Sequence, residues 1–302
     1  MRTAFIEALV DLARDDSSIF LLVGDLGYSV VEPFIEEYPD RFINCGVAEQ
    51  NMTGIATGLA LSGKIVFNYS IANFTTMRCL EQIRNDVCYH NANVKIVTVG
   101  GGLSYGTLGM THHATEDLAI MRALPNMTVV APGDPVEAKL ATRAIVARPG
   151  PCYLRLGKAG EPVIHKEPPD FQIGRAINVR GGNDITLIST GGMLDNTFKA
   201  AEELARQGLQ TRVLSMHTVK PLDTEAVLDA ARETGCIMTI EEHSFIGGLG
   251  SAVTEFLAES TIHIPFKRLG IGDSFCLDVG NQEYLREIHS LSVDGIVKAA
   301  LM

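Results

Sequence analysis

Hydrophobic positions in the first half of the chain switch repeatedly between two periods. Phe5, Leu9 and Leu12 fall on one face of a helix predicted over residues 3–14. Residues 19–23 are then continuously apolar, the pattern of a strand buried on both faces of a parallel sheet. Further strands are predicted at 64–68, 94–99, 128–131 and 152–156, and residues 42–43 end a short strand or turn. Helices are predicted at 30–37, 48–61, 75–85 and 135–147, with residues 69–74 as the exit loop of the strand at 64–68. Strand and helix alternate throughout, which argues for a doubly wound α/β domain whose parallel sheet is covered on both sides.

Residues 161–174 break the pattern with Pro162, Pro168 and Pro169 among charges, the composition of a linker. The alternation then resumes, with strands expected at 185–189, 212–215, 236–241 and 267–271. Helices are expected at 194–207, 224–234 and from 248 to about 260. The expected organisation is a first domain over 1–160, a linker over 161–178 and a second α/β domain over 179–302.

Composition narrows the function classes. A chain of 302 residues with 46% hydrophobic and 20% charged residues is globular. A net charge of -11 argues against nucleic acid or an anionic membrane as the main partner. The six cysteines are scattered without a CxxC pair, so neither a zinc site nor a disulfide framework is indicated. The opening MRTAFIEALVDLARDD is an amphipathic helix carrying acids, unlike a signal peptide, and no apolar run reaches the roughly 18 residues of a membrane span. A cytoplasmic protein with reduced thiols is expected.

The stretch with the most unusual chemistry is FINCGVAEQNMTGIATGLALSG, residues 42–63. Its helix has one carboxylate, Glu49, in the first turn, followed by Gly54, Ala56, Gly58 and Ala60. Interior glycine costs a helix about 1 kcal/mol against alanine, so the repeated small residues suggest another backbone in close approach. So little polar surface suggests a buried helix. Glu49 either faces the positive end of its helix dipole or sits at an apolar site where burial raises a carboxyl pKa and permits proton exchange. Asp25, in the turn Gly24-Asp25-Leu26-Gly27 after the first strand, is either a turn former or a site residue at a strand's carboxyl end.

Residues 46–52, GVAEQNM, closely resemble the motif that carries the activating glutamate in the pyrimidine-binding domain of transketolase-like thiamine diphosphate enzymes. RCLEQIRN (78–85), THHATEDLAIMRALPNMTVVAPGD (111–134) and GPCYLRLGK (150–158) resemble the family in the same order and spacing. STGG, VKPLD and EEHSFIGGLGSA extend the resemblance through the second half, to the family's C-terminal domain, which is mainly structural and dimer-forming. The adjacent Glu241, Glu242 and His243 lack the helical spacing of a metal motif and read as a polar cluster at a strand end.

The resemblance implies roles for individual residues. Glu49 would hydrogen-bond the cofactor's pyrimidine nitrogen and favour its imino tautomer. Asp25 and Leu26 would lie near that ring, and Phe74 would stack on it, with Tyr69 and Phe67 as further aromatics nearby. As a plain reading, Phe74 is a core residue. His112 would stand near the reacting carbon, where an imidazole can donate to a developing alkoxide or carry its proton. Arg155 and Lys158 match basic positions that hold a substrate phosphate, although Arg155 also suits an interface salt bridge.

Some positions depart from the family. Leu108 replaces the aspartate that reads donor hydroxyls, and Gly100 and Gly101 replace an upstream polar pair, which puts ordinary pentose-phosphate specificity in doubt. His113 replaces a glutamine. The GDG…N motif that holds the diphosphate and Mg2+ is not found in this sequence. The resemblance therefore implies the C-terminal subunit of a split transketolase, transferring a two-carbon ketol unit from a ketose to an aldehyde. It would act with an N-terminal-type partner that carries the diphosphate and metal site, as a homodimer of this chain within an α2β2 assembly. The alternatives are the β subunit of a 2-oxoacid dehydrogenase E1, a deoxyxylulose-phosphate-synthase-like enzyme, and a non-catalytic regulatory subunit.

Overall fold

The computed structural model describes residues 1–302, which form two α/β units. In the first, β1 (Ile19–Val23), β2 (Phe42–Asn44), β3 (Ile65–Ile71), β4 (Val94–Val99), β5 (Thr128–Val130) and β6 (Cys152–Leu156) run parallel. The intervening helices are α1 (Arg2–Asp15), α2 (Glu32–Glu37), α3 (Glu49–Leu61), α4 (Ala72–Met77), α5 (Leu80–Gln82), α6 (Asp117–Ala123) and α7 (Pro135–Val146). Phe5 and Leu9 of α1 pack with Ala141 and Ile145 of α7 on one face of the sheet. Met52 and Ala56 of α3 pack with Leu118 and Met121 of α6 on the other.

The second unit contains β7 (Ile177–Arg180), β8 (Ile185–Ser189), β9 (Thr211–Ser215), β11 (Ile237–Ser244) and β12 (Phe266–Ile271), in the order β12-β11-β8-β9-β7 with only β7 antiparallel. Its helices are α8 (Leu194–Arg206), α9 (Thr224–Glu233), α10 (Leu249–Glu259), α11 (Gln282–Ile288) and α12 (Val293–Leu301). The short β10 (Thr218–Lys220) leaves this unit and pairs antiparallel with β5, so the first sheet has the order β10-β5-β6-β4-β3-β1-β2. Lys220 fastens that crossing by donating to the carbonyls of Arg122 (3.0 Å) and Leu124 (2.5 Å).

The structure differs from the sequence expectations in four places. β3 runs on to Ile71 and α4 starts at Ala72, so residues 69–74 are not an exit loop. The helix expected over 75–85 is broken into α4, α5 and a wider π-type turn over Ile83–Cys88. β7 begins at Ile177, inside the stretch expected as linker, and the linker itself is pinned: Asp134 Oδ2 accepts from the N–H groups of Ile164 (2.9 Å) and His165 (3.0 Å). The helix of small residues is buried on one face only: Met52, Thr53, Ala56 and Thr57 are buried, whereas Gly54, Gly58 and Leu61 are exposed.

A buried charge network joins the two units. The Arg155 guanidinium, 5% exposed, donates to Asp117 (2.7 and 3.2 Å), to the Ala114 carbonyl (2.8 Å) and to the Glu242 carbonyl of β11 (3.1 Å). Removing one member strands the other charge without solvent. Asp117→Ala should therefore cost about 3–5 kcal/mol of stability in urea unfolding. A loss below about 1 kcal/mol, the worth of an exposed pair, would mean that the network carries little of the fold.

Candidate active site

The carboxyl ends of the parallel strands gather the site. Asp25, at φ 55°, follows β1, and its backbone N–H donates to Asn44 Oδ1 at the end of β2 (3.1 Å). Asn44 Oδ1 also accepts from Gly46 N–H (3.0 Å), and its amide donates to the Asp25 carboxylate (3.0 Å). This clasp fixes the turn through Gly46 that starts α3, which puts Glu49 in the first helical turn. Asn44 drew no attention in the sequence because a lone amide after a short strand carries no motif. Leu26 is partly buried against the core of the first unit.

Glu49 is 4% exposed. Its Oε2 lies 3.4 Å from Arg78 Nη1, while Oε1 is buried without a hydrogen-bond partner. The Gly24 backbone lies beside this carboxylate: a Cβ there would make ordinary contacts with Ser70 Oγ (3.4 Å) and with Oε1 (3.7 Å). The Arg78 guanidinium also covers the Phe74 ring at 4.1 Å from its centroid, a cation–π contact. Phe74 sits on α4 at the exit of β3, beside a cleft of about 560 Å³ lined by Asn73, Phe74, Arg78, His112, Glu116 and Phe275. Arg78 was legible as part of a motif but not as the residue linking Glu49 to the aromatic.

His112 meets the Phe74 ring edge-on at 5.2 Å. Its loop is held by Asn73, whose amide donates to the Thr111 carbonyl (2.6 Å). His112 Nδ1 lies 3.0 Å from Thr111 Oγ1. The neighbouring His113 turns inward; burial lowers its imidazole pKa below the ordinary value, and its Nε2 has no partner. Lys158 is exposed, its Nζ 5.1 Å from the centroid of the Tyr105 ring.

Glu49, Phe74 and His112 thus come together through Arg78 and the Phe74 ring, Asp25 stands beside the Glu49 turn, and Lys158 is linked to His112 only through the Tyr105 ring. Tyr69 and Phe67 do not join them. Tyr69 is fully buried in β3 with its ring stacked on Phe5 (5.9 Å, 7°), and Phe67 packs on the same residue. Successive side chains of a strand point to opposite faces, so Phe67 and Tyr69 face α1 while Asn68 and Ser70 take the α3 side. Arg155 uses Nε and Nη2 in the inter-unit network, while Nη1 makes no bond within the protein, and the residue borders a separate polar cavity of about 110 Å³ between the units. Its first role in the fold is at the interface between the units, away from the cleft beside Phe74 and His112.

Residues 1–160 match the family pattern of the transketolase pyrimidine-binding domain, and residues 174–296 that of the transketolase C-terminal domain. The chain belongs to the transketolase family. It is similar to an apulose-4-phosphate transketolase subunit of Phocaeicola vulgatus, 40% identical over 302 residues covering 99% of this chain and 96% of that one. It is also similar to the 6-deoxy-6-sulfo-D-fructose transketolase subunit SqwH of Clostridium sp. strain MSTE9, 42% identical over 301 residues covering 99% and 93%. A solved structure titled as a split gene transketolase, inactive beta4 tetramer, superposes with a TM-score of 0.90 at 38% identity, covering 99% of this chain and 96% of that one. The chain thus corresponds over nearly its whole length to the second subunit of split transketolases, and membership of the family implies thiamine diphosphate. No helix is long and apolar enough to cross a membrane.

The placement of Tyr69 gives a direct test. Its hydroxyl is buried without a partner, and an orphaned group of this kind costs about 1–3 kcal/mol. Tyr69→Phe should raise stability by about 1 kcal/mol in urea unfolding and leave cofactor affinity unchanged. A weakened affinity for thiamine diphosphate would return Tyr69 to the site.

Proposed function

We propose that this chain is the pyrimidine-side subunit of a thiamine diphosphate-dependent transketolase that moves a two-carbon ketol unit from a ketose to an aldehyde. The observation that supports it best is the buried Glu49 carboxylate, which has one oxygen against Arg78 and the other without a partner. A ring N–H of the aminopyrimidine would satisfy Oε1, and Arg78 would hold the other oxygen in place, so that the carboxylate can hold a proton at the ring nitrogen. Phe74 offers a flat apolar surface to the heteroaromatic ring, and Asp25 with Leu26 forms the turn beside it. His112 supplies an imidazole to donate to or take a proton from a substrate oxygen, and Lys158 faces the substrate's anionic end. Thiamine diphosphate, when bound, supplies the electron sink for carbon–carbon cleavage and formation.

In this reading residues 1–160 are the pyrimidine-binding domain, 161–176 the linker and 177–302, starting with β7, the C-terminal domain. The diphosphate and Mg2+ ligands are carried by an N-terminal-type partner, and this chain forms a homodimer within an α2β2 complex. Three observations support the partnership. The relatives it matches along nearly their whole length are named as subunits. The outward stripe of Gly54, Gly58 and Leu61 leaves room for a neighbouring backbone: a Cβ on either glycine would meet nothing within 4 Å. Val47, Leu108, Met110 and Phe275 are exposed, Met110 and Phe275 at the cleft itself, apolar surface worth roughly 25 cal/mol per Å² once covered. The cysteines are free, in keeping with a cytoplasmic location. Donor specificity departs from that of ordinary transketolases: Leu108, 52% exposed, brings no polar group to the cleft, so xylulose 5-phosphate is a poor donor compared with another ketose.

Two measurements test this function. Glu49→Gln in the reconstituted complex should lower turnover by more than roughly tenfold, about 1.4 kcal/mol in the barrier, with unfolding unchanged. Near-normal turnover would remove Glu49 from the chemistry. The purified chain alone, titrated calorimetrically with thiamine diphosphate and magnesium, should bind weakly and turn nothing over. Micromolar binding with turnover and no partner would sink the split-enzyme reading.

A further inference from the structure

Gly100, at φ 85°, is pressed against Tyr105: a Cβ there would lie 2.1 Å from one ring carbon and 2.2 Å from the next. No side chain fits at position 100 while the Tyr105 ring keeps its place. The ring is held on a stiff loop. Leu103 N–H donates to Glu242 Oε1 (2.5 Å), Ser104 Oγ donates to the Gly101 carbonyl (2.7 Å), and Gly102 pairs with Ala114 through two backbone bonds of 2.9 Å. The half-buried ring neighbours both His112 (6.3 Å between ring centroids) and Lys158, whose Nζ lies 5.1 Å from its centroid. Burial raises the Tyr105 pKa, so the phenol is neutral around neutral pH and the ring contributes its face rather than a charge. At position 101 a Cβ would lie 2.7 Å from Arg155, so that position offers no polar side chain either.

We propose that Tyr105 is a specificity-determining residue, forming an apolar wall between the reacting end of the substrate at His112 and its anionic end at Lys158. Building on the transketolase reading, the enzyme takes ketoses that end in an anion and turn a C–H face, not a hydroxyl, towards this wall. A site that hydrogen-bonds a substrate hydroxyl rejects the analogue lacking it by roughly 10⁴–10⁵-fold, whereas an apolar wall has no such partner to leave unpaired. The wall therefore tolerates loss of a mid-chain hydroxyl, and the Gly100–Tyr105 pair sets this tolerance together.

The test uses the complex reconstituted with its N-terminal-type partner, with D-fructose 6-phosphate and its 4-deoxy analogue as donors. In the unaltered complex, kcat/KM for the 4-deoxy donor should equal or exceed that for fructose 6-phosphate. A preference for the hydroxylated donor beyond about tenfold would overturn the proposal without any variant. The double variant Gly100→His, Tyr105→Ala exchanges ring for polar side chain and should move the ratio towards fructose 6-phosphate by at least about tenfold. Tyr105→Leu, which keeps the wall apolar, should move it by less than about threefold. Equal losses for both donors in the double variant would assign Tyr105 to packing and overturn the proposal while leaving the transketolase reading intact. Failure of the unaltered complex to turn over any ketose would instead sink that reading, and the substrate wall with it.

Discussion

The Arg155 guanidinium is the point on which the arrangement of the site depends. It is a cation removed from water, which a protein tolerates only when its donors are matched by fixed acceptors. Those acceptors come from three places: Asp117 at the start of α6, the Ala114 carbonyl in the loop behind His112, and the Glu242 carbonyl in the second unit. Satisfying one charge therefore sets the second unit against the loop that carries Tyr105, His112 and His113. Glu242 extends the network, its carboxylate accepting from Leu103 N–H, Gln282 and Arg286. Burial pulls the arginines' pKa down, but Asp117 beside Arg155 and Glu242 beside Arg286 more than offset it, so both stay cationic.

Much of the fold was legible because its strands are buried on both faces. β1, β4, β6 and β8 span the residues over which they are predicted, because mainly apolar stretches of five or six residues have few other solutions in a covered parallel sheet. β7 and β10 escaped for the opposite reason: INVR and TVK are short, partly polar edge segments whose pairing is decided by distant chain. The break of the helix expected over 75–85 likewise has no local signal among residues that all tolerate helix.

The site divides along the same line. Glu49, Phe74 and His112 were legible as motif positions, and the carboxyl edges of β2, β3 and β4 bring them to one side of the sheet. Tyr69 misled because its place in the strand, on the face turned to α1, outweighs its nearness to Phe74 in sequence. For Arg155 the motif gave a residue type but not its partners Asp117 and the Glu242 carbonyl, which only the folded chain supplies. Tyr105 gave no signal at all. Its significance lies in a glycine five residues earlier, a complementarity of shape that only the folded loop reveals.

The crossing of β10 has a consequence for how this chain can be divided. A cut in the linker would leave the first sheet without its last strand, which is borrowed from the second unit. Without residues 218–220, β5 becomes an outer edge that presents unpaired N–H and C=O groups to solvent, a template for pairing with other chains. Ala131 N–H would also lose the His217 carbonyl, to which it donates at 2.7 Å. A fragment holding only the pyrimidine-side residues would be sticky rather than autonomous, so the smallest unit that can be inherited, swapped or expressed intact is the whole pair of sheets.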